Sequence, residues 1–329
     1  MKAAFIGDAD NIQRVYSKKT LDTLNNLFDF YDGIFTKNDA GKLSDIDCLF
    51  STWGMPEFTE DEIKTFFPNL KIVFYAAGSV QYFARPFLNL GIKVISGWLA
   101  NAVPVIEYSV AQIILANKGF YSSMRMCDSR ENYLKALEHS RKFPGNYGKN
   151  VGLISLGAIG AGVARRLMDY NLNVLAYDPF VSKERSEELG VTLVSLEELF
   201  EKCQVISNHA PNLPTTQKMM DIRHFSKMQD NATFINTGRG AQVVEEDLIE
   251  TLKTHPHICA VLDVTYPEPP VDGSELFTLP NVFLTPHIAG SIGDECMRMS
   301  EYIAEDAKAF VNGYNLKYEV SLKMLETMA

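Results

Sequence analysis

The sequence predicts an α/β protein of two domains built on parallel sheets. Three observations carry this. The chain has 329 residues, more than a single ordinary core requires. Short apolar runs alternate with amphipathic stretches along most of it, the pattern of strands covered by helices on both faces. At residues 151–164 an apolar run also meets a glycine-rich turn that opens directly into a helical pattern.

In the first hundred residues the apolar runs place strands near Ala3–Ile6, Asp47–Ser51, Lys71–Tyr75 and Lys93–Ile95, with helices over Leu21–Phe28 and Glu60–Phe67. Ala102–Lys118 is apolar with helical period and reads as a buried connecting helix or as a linker and dimer-contact helix, two readings that can both hold. A polar, basic-flecked segment follows it to Pro144-Gly145. Beyond residue 149 the alternation sharpens. Strands are expected at Asn150–Ser155, Asn173–Tyr177, Val205–Ser207, Thr233–Asn236, Cys259–Leu262 and Val282–Leu284. Helices are expected at Ala158–Asp169, Leu196–Glu201, Glu245–Lys253 and from beyond Gly290 to about Val311.

Composition narrows the function classes. With 46% hydrophobic and 22% charged residues the usage is that of an ordinary globular protein. The net charge of −10, without a Lys/Arg cluster, excludes a nucleic-acid partner as an expectation. No segment is expected to reach the length of a membrane span, so a cytoplasmic protein without a membrane role is anticipated. Cys48, Cys127, Cys203, Cys259 and Cys296 show no metal-ligand spacing and read as buried, reduced thiols; no metal is expected.

Residues 151–164 read VGLISLGAIGAGVA. A strand running into Ser155, Gly157, Ala158, Ile159 and Gly160 and then a helix is where backbone N–H groups take up a pyrophosphate. Ser155 stands at the first glycine of the GxGxxG pattern. A serine serves there while its φ stays negative. The next strand ends at Asp178, whose carboxylate suits the adenosine ribose hydroxyls and would repel a 2′-phosphate. NAD is therefore expected rather than NADP.

Three later segments share one layout, an apolar strand ending in polar residues: ATFINTGRGAQVVEEDL with Arg239, CAVLDVTYPEPP with Asp263 and Glu268, and NVFLTPHIAG with His287. In an open α/β sheet such strand ends face one ligand edge. Singly, Arg239 reads equally as a surface ion-pairer, Glu268 as a turn acid and His287 as a structural histidine. Together they suit one reaction. Arginine offers a planar fork to a carboxylate, histidine moves protons near neutrality, and a glutamate favours the charged ring.

From about Gly148 to Gly313 the chain resembles the D-isomer-specific 2-hydroxyacid dehydrogenase family. The resemblance is carried by VGLISLGAIGAGVA, YDP, SNHAPNLPTT, INTGRGAQVVEEDL, LDVTYPEPP, LPNVFLTPHIAG and the helix with RMSEYIAEDAKAFVNG. It implies a Rossmann-type NAD-binding domain, residues 100–291, inserted into a smaller flavodoxin-like α/β substrate domain of residues 1–99 and 292–329. It also implies roles. Arg239 would hold the substrate carboxylate and carbonyl, Glu268 would pair with the acid/base His287, and Asp263 would hold the nicotinamide carboxamide. His209, Ala210, Pro211 and Thr216, with Thr237, Gly238, His287 and Gly290, would line the cofactor, and the Ala77-Gly78-Ser79 turn, with Arg239 and His287, would bind the substrate. The expected reaction interconverts a small 2-oxo acid and its D-2-hydroxy acid, in a homodimer packed through the cofactor domains.

Two departures leave the substrate open. Val80 stands where a second glycine is common, and Ala76 stands where the phosphoglycerate-oxidising branch usually has an arginine. Trp53 and Trp98 are read as loop residues, open either to facing the substrate or to packing in the small domain. Two other activities stay in view on the same scaffold: formate or phosphite oxidation, and a dinucleotide-sensing, corepressor-like binding protein.

Overall fold

The computed structural model describes residues 1–328. They fall into two compact units, Met1–Ala102 with the residues from Ser291 onward, and Val103–Gly290. The boundary between Ala102 and Val103 lies inside the helix Trp98–Ala116.

Strands β1 (Lys2–Ile6), β2 (Asp29–Phe35), β3 (Cys48–Ser51), β4 (Ile72–Tyr75) and β5 (Lys93–Ser96) precede that helix. Strands β6 (Lys149–Ile154), β7 (Leu172–Tyr177), β8 (Thr192–Leu193), β9 (Val205–Asn208), β10 (Thr233–Asn236), β11 (Cys259–Leu262) and β12 (Val282–Leu284) follow it, and β13 (Glu319–Val320) lies near the C-terminus.

The sheet of the first unit has the order β13-β5-β4-β3-β1-β2, parallel except for β13 against β5. Strands β3 and β4 are buried throughout, as apolar runs covered on both faces must be. Phe50 stacks on Phe74 at 4.7 Å and Phe5 on Phe30 at 4.9 Å, so much of this core is aromatic. Trp53 packs partly buried on the same core with Arg14 over its ring. Trp98 opens the long helix instead of lying in a loop. Edge strand β2 reads DFYDGIF, too polar for the apolar-run pattern, and the first helix, Ala9–Val15, was not anticipated either.

The sheet of the second unit runs β12-β11-β10-β9-β6-β7-β8 and is parallel throughout. This is the Rossmann-type doubly wound order. The direction of winding reverses between β6 and β9, and ligands of such sheets bind at the strand carboxyl ends beside that reversal. The polar stretch after residue 118, where no element was anticipated, holds the helices Phe120–Met126 and Arg130–Ser140. Gly119 makes the turn into the first at φ +66°, where a Cβ would lie 2.2 Å from the Phe143 ring.

Two expectations need correction. Trp98–Ala116, with 19 residues, is long and apolar enough to cross a membrane by length and composition. Its apolar side chains are used within the fold, where Ile113 and Ala116 are buried in the core of the second unit. Of the cysteines, all free, Cys127 is exposed rather than buried, because it sits at the end of a short surface helix.

Candidate active site at the strand ends of the second unit

The glycine-rich turn leaves β6 at Ser155, whose φ is +73°, against the expectation of a negative angle. The serine is forced into this glycine-like conformation by its neighbours. Its N–H donates to Tyr177 O at 2.8 Å, and the next N–H, of Leu156, donates to Asp178 Oδ2 at 2.7 Å. Gly160 is obligatory, since a Cβ there would stand 1.9 Å from the Ser155 carbonyl oxygen. The helix Ala158–Leu167 begins at Gly157, Ala158 and Ile159 with no side-chain cap, which leaves its first-turn N–H groups for a ligand.

Asp178 stands at the end of β7. Besides Leu156 it accepts the N–H of Phe180 through Oδ1 at 2.9 Å. One carboxylate therefore orders both turns at the reversal point.

His209 follows β9 and is buried. Its Nδ1 lies 3.3 Å from the Thr237 hydroxyl, Nε2 has no partner among the described residues, and its Cδ2 would lie 3.7 Å from a Cβ at Gly160. Burial depresses its pKa to about 3. The unfolded chain then takes up this proton first as pH falls below the ordinary imidazole value, so stability is untouched above that value and is lost progressively toward pH 3. The expected loss at pH 5 relative to pH 8 is about 2 kcal/mol. Urea unfolding of the wild type and of His209→Asn at the two pH values checks this, and an equal loss in both proteins sinks it.

Ala210 and Thr237 are buried beside His209. Thr216 spends its hydroxyl locally, donating to Pro211 O at 2.6 Å and accepting the Leu213 N–H at 2.9 Å.

Arg239 follows β10 and is partly buried, with Nη1 donating to Gly238 O at 2.7 Å. Burial lowers its pKa and the nearby Glu268 charge works in the opposite direction. Glu268, in the loop after β11, places Oε1 2.7 Å from His287 Nδ1. The structure thus places Glu268 against His287 and close enough to Arg239 for its charge to be felt there. His287 itself has φ +55°. Its backbone is held by Asp263, whose carbonyl accepts the His287 N–H at 3.1 Å. The buried Asp263 carboxylate accepts from Thr285 Oγ1 at 2.6 Å, Ile288 N at 2.8 Å and Ala289 N at 2.9 Å. Thr285 also pairs with Tyr108 at 3.1 Å. Gly290 ends this loop and the second unit.

In the first unit, the Ala77-Gly78-Ser79 turn follows β4. Ser96 Oγ lies 3.0 Å from Ala77 O and 2.8 Å from Gly78 O, which turns these carbonyls away. The N–H groups of Gly78 and Ser79 meet no acceptor among the described residues. Ala76 and Val80 are fully buried, so both departures noted in this loop are core positions.

Sequence reasoning missed Asn208, Asn236 and Gln242, all buried beneath Arg239. An amide closing each of the apolar runs VISN and TFIN was the available signal.

A family model described as the D-isomer specific 2-hydroxyacid dehydrogenase, NAD binding domain, matches residues 110–289, more than half of the chain. A glyoxylate reductase of Korarchaeum cryptofilum is 30% identical over 83% of this chain and 82% of its own length. A D-3-phosphoglycerate dehydrogenase of Archaeoglobus fulgidus is 33% identical over 78% of this chain but only 48% of its own. The chain spans between 41% and 56% of the length of this and four further curated relatives. Among solved structures, apo D-mandelate dehydrogenase of Rhodotorula graminis superposes with a TM-score of 0.83 at 20% identity, covering 97% of both chains, which is a likeness of fold. The chain therefore belongs to the D-isomer specific 2-hydroxyacid dehydrogenase family, and residues 110–289 are its NAD-binding domain.

Proposed function

We propose that the protein is an NAD-dependent oxidoreductase that interconverts a small 2-oxo acid and its D-2-hydroxy acid, with His287 as the acid/base. The observation that carries this is the 2.7 Å pair of His287 Nδ1 and Glu268, with Arg239 within reach of the same carboxylate's charge. The turn fits a dinucleotide: Gly160 leaves a cradle that a Cβ would fill, the helix start is uncapped, and His209 Nε2 is an orphaned buried atom. Ser155–Gly160 would hold the pyrophosphate and Asp178 the adenosine ribose, with His209–Pro211, Thr216, Thr237, Gly238, Asp263 and Gly290 around the rest. When bound, the nicotinamide supplies the hydride for C2 of the 2-oxo acid.

The chain's residues do the remaining work. The Arg239 fork takes the carboxylate and polarises the carbonyl, in surroundings dry enough to strengthen both contacts. With Nδ1 turned to Glu268, His287 presents Nε2 to the developing alkoxide and hands it a proton. In the first unit, the Gly78 and Ser79 N–H groups, which meet no acceptor among the described residues, suit a carboxylate. The buried, uncharged Ala76 offers nothing to a phosphate, which disfavours a phosphorylated substrate.

The test is NADH consumption over a panel from glyoxylate through hydroxypyruvate and pyruvate to phenylpyruvate. Turnover of at least one is expected. No turnover of any, with NADH bound, would leave the binding-protein reading standing, and NADH formation from formate or phosphite would replace the substrate class.

A homodimer belongs to the same reading. The exposed Phe120, Met124, Tyr133, Leu134, Leu137 and Tyr147 lie on and just beyond the helices Phe120–Met126 and Arg130–Ser140, a larger apolar display than single scattered side chains make. Sedimentation should give a dimer that Leu134→Asp with Leu137→Asp converts to a monomer; a wild-type monomer at micromolar concentration would overturn it.

A further inference from the structure

Beneath Arg239 lies a buried cluster of three amides. Asn208 and Asn236 end the paired strands β9 and β10 opposite one another, and Gln242 ends the short turn that follows Arg239. All three are essentially inaccessible to solvent. Buried amides are tolerated where their donors and acceptors are met, and here they are met by the two loops that flank the site.

Gln242 spans both loops. Its Oε1 accepts the Arg239 N–H at 3.2 Å and a short hydrogen bond from Asn208 Nδ2. Its Nε2 donates to Ala210 O at 2.6 Å and to Pro211 O at 2.8 Å. Both N–H groups and both lone pairs of one side chain are thus in use. Asn236 completes the hold on the arginine, donating to Arg239 O at 3.2 Å and accepting the Gly238 N–H at 3.1 Å. The Arg239 backbone is therefore gripped at its nitrogen and at its oxygen by side chains that touch no solvent. Gly238 is part of the fit, because a Cβ there would lie 2.8 Å from Asn208 Nδ2 and 2.9 Å from Gln242 Oε1.

We propose that Gln242 is a positioning residue for substrate binding, an amide clamp that fixes the Arg239 loop to the Ala210-Pro211 loop and so sets where the guanidinium stands. The proposal rests on the reading that Arg239 binds the substrate carboxylate. No other side chain of similar size meets the four demands. A glutamate lacks the two donors, and a leucine lacks everything but the volume, leaving two carbonyl oxygens and two N–H groups unpaired in the interior. The loops would then move independently, and a guanidinium displaced by even a fraction of an ångström loses bidentate geometry.

The experiment compares the wild type with Gln242→Leu, and with Gln242→Asn, whose amide is one methylene too short to reach both loops and which serves if leucine prevents folding. Backbone hydrogen exchange in residues 209–213 and 237–243 is expected to accelerate together, by about tenfold or more, because the unpaired groups no longer hold the loops shut. KM for the 2-oxo acid is expected to rise by about tenfold, and the effect of Gln242→Leu on kcat/KM should largely vanish in an Arg239→Ala background, since it acts through that residue. Unchanged exchange with unchanged KM, whatever happens to the Tm, overturns the clamp, and so does a full effect that persists without Arg239. A wild type inert toward every 2-oxo acid overturns the reading of Arg239, while the coupled exchange still decides whether Gln242 ties the loops.

Discussion

Replacing His287 with alanine is expected to lower kcat for 2-oxo acid reduction by about 10²–10⁴-fold, the usual contribution of a positioned proton donor. NADH affinity should change little, because the ring's one side-chain hydrogen bond is to Glu268 and the surrounding loop is built on Asp263. Removing the imidazole leaves those bonds to Thr285, Ile288 and Ala289 intact. The φ of +55° at this position suits histidine better than alanine, so the variant's Tm is measured beside its rate to separate lost chemistry from lost stability. Stopped-flow single turnovers with fluorescence titration of NADH separate the two quantities. A variant that still turns over at the wild-type rate removes His287 from the chemistry. A variant that loses NADH binding instead assigns the residue to the cofactor. Glu268→Gln should fall between, since the ring keeps a hydrogen-bond partner of similar shape that carries no charge.

Arg239→Ala should reduce kcat/KM by about 10²–10³-fold through the lost electrostatic stabilisation of the transition state. The more telling variant is Arg239→Lys. Lysine keeps the charge but presents a point rather than a fork, and the guanidinium already spends one arm on Gly238 O. A lysine bound to that carbonyl keeps two donors, but they diverge from one nitrogen and cannot meet both carboxylate oxygens side by side, so most of the loss is expected to remain. Near-complete rescue by lysine, read from steady-state kinetics with the best substrate of the panel, would mean that charge alone matters there and that the planar contact does not.

Much of the second unit was legible because its strands are short, wholly apolar and closed by polar residues. Thr233–Asn236, Cys259–Leu262 and Val282–Leu284 stand residue for residue as expected. The first unit was less so. Its edge strand β2 carries two aspartates and a glycine, and β13 has two residues, so neither leaves the apolar run that betrays a buried strand. At the site, the convergence of Glu268 on His287 follows from strands ending at one edge of a sheet. The conformation of Ser155 did not follow. Residue preference argued for a negative φ, and the hydrogen bonds on both sides of the turn, to Tyr177 and Asp178, override it. Asn208, Asn236 and Gln242 are far apart in the chain, and an amide's worth in a core depends on partners that only the folded loops supply.

The loop of His287 converges on a single buried carboxylate, that of Asp263, and the chain supplies it entirely from the second unit. The position of residue 287 is thereby fixed from within one unit, by a carboxylate that is itself almost wholly buried. An exchange at residue 287 leaves that anchor standing, whereas loss of the Asp263 carboxylate would release Thr285, Ile288 and Ala289 at once.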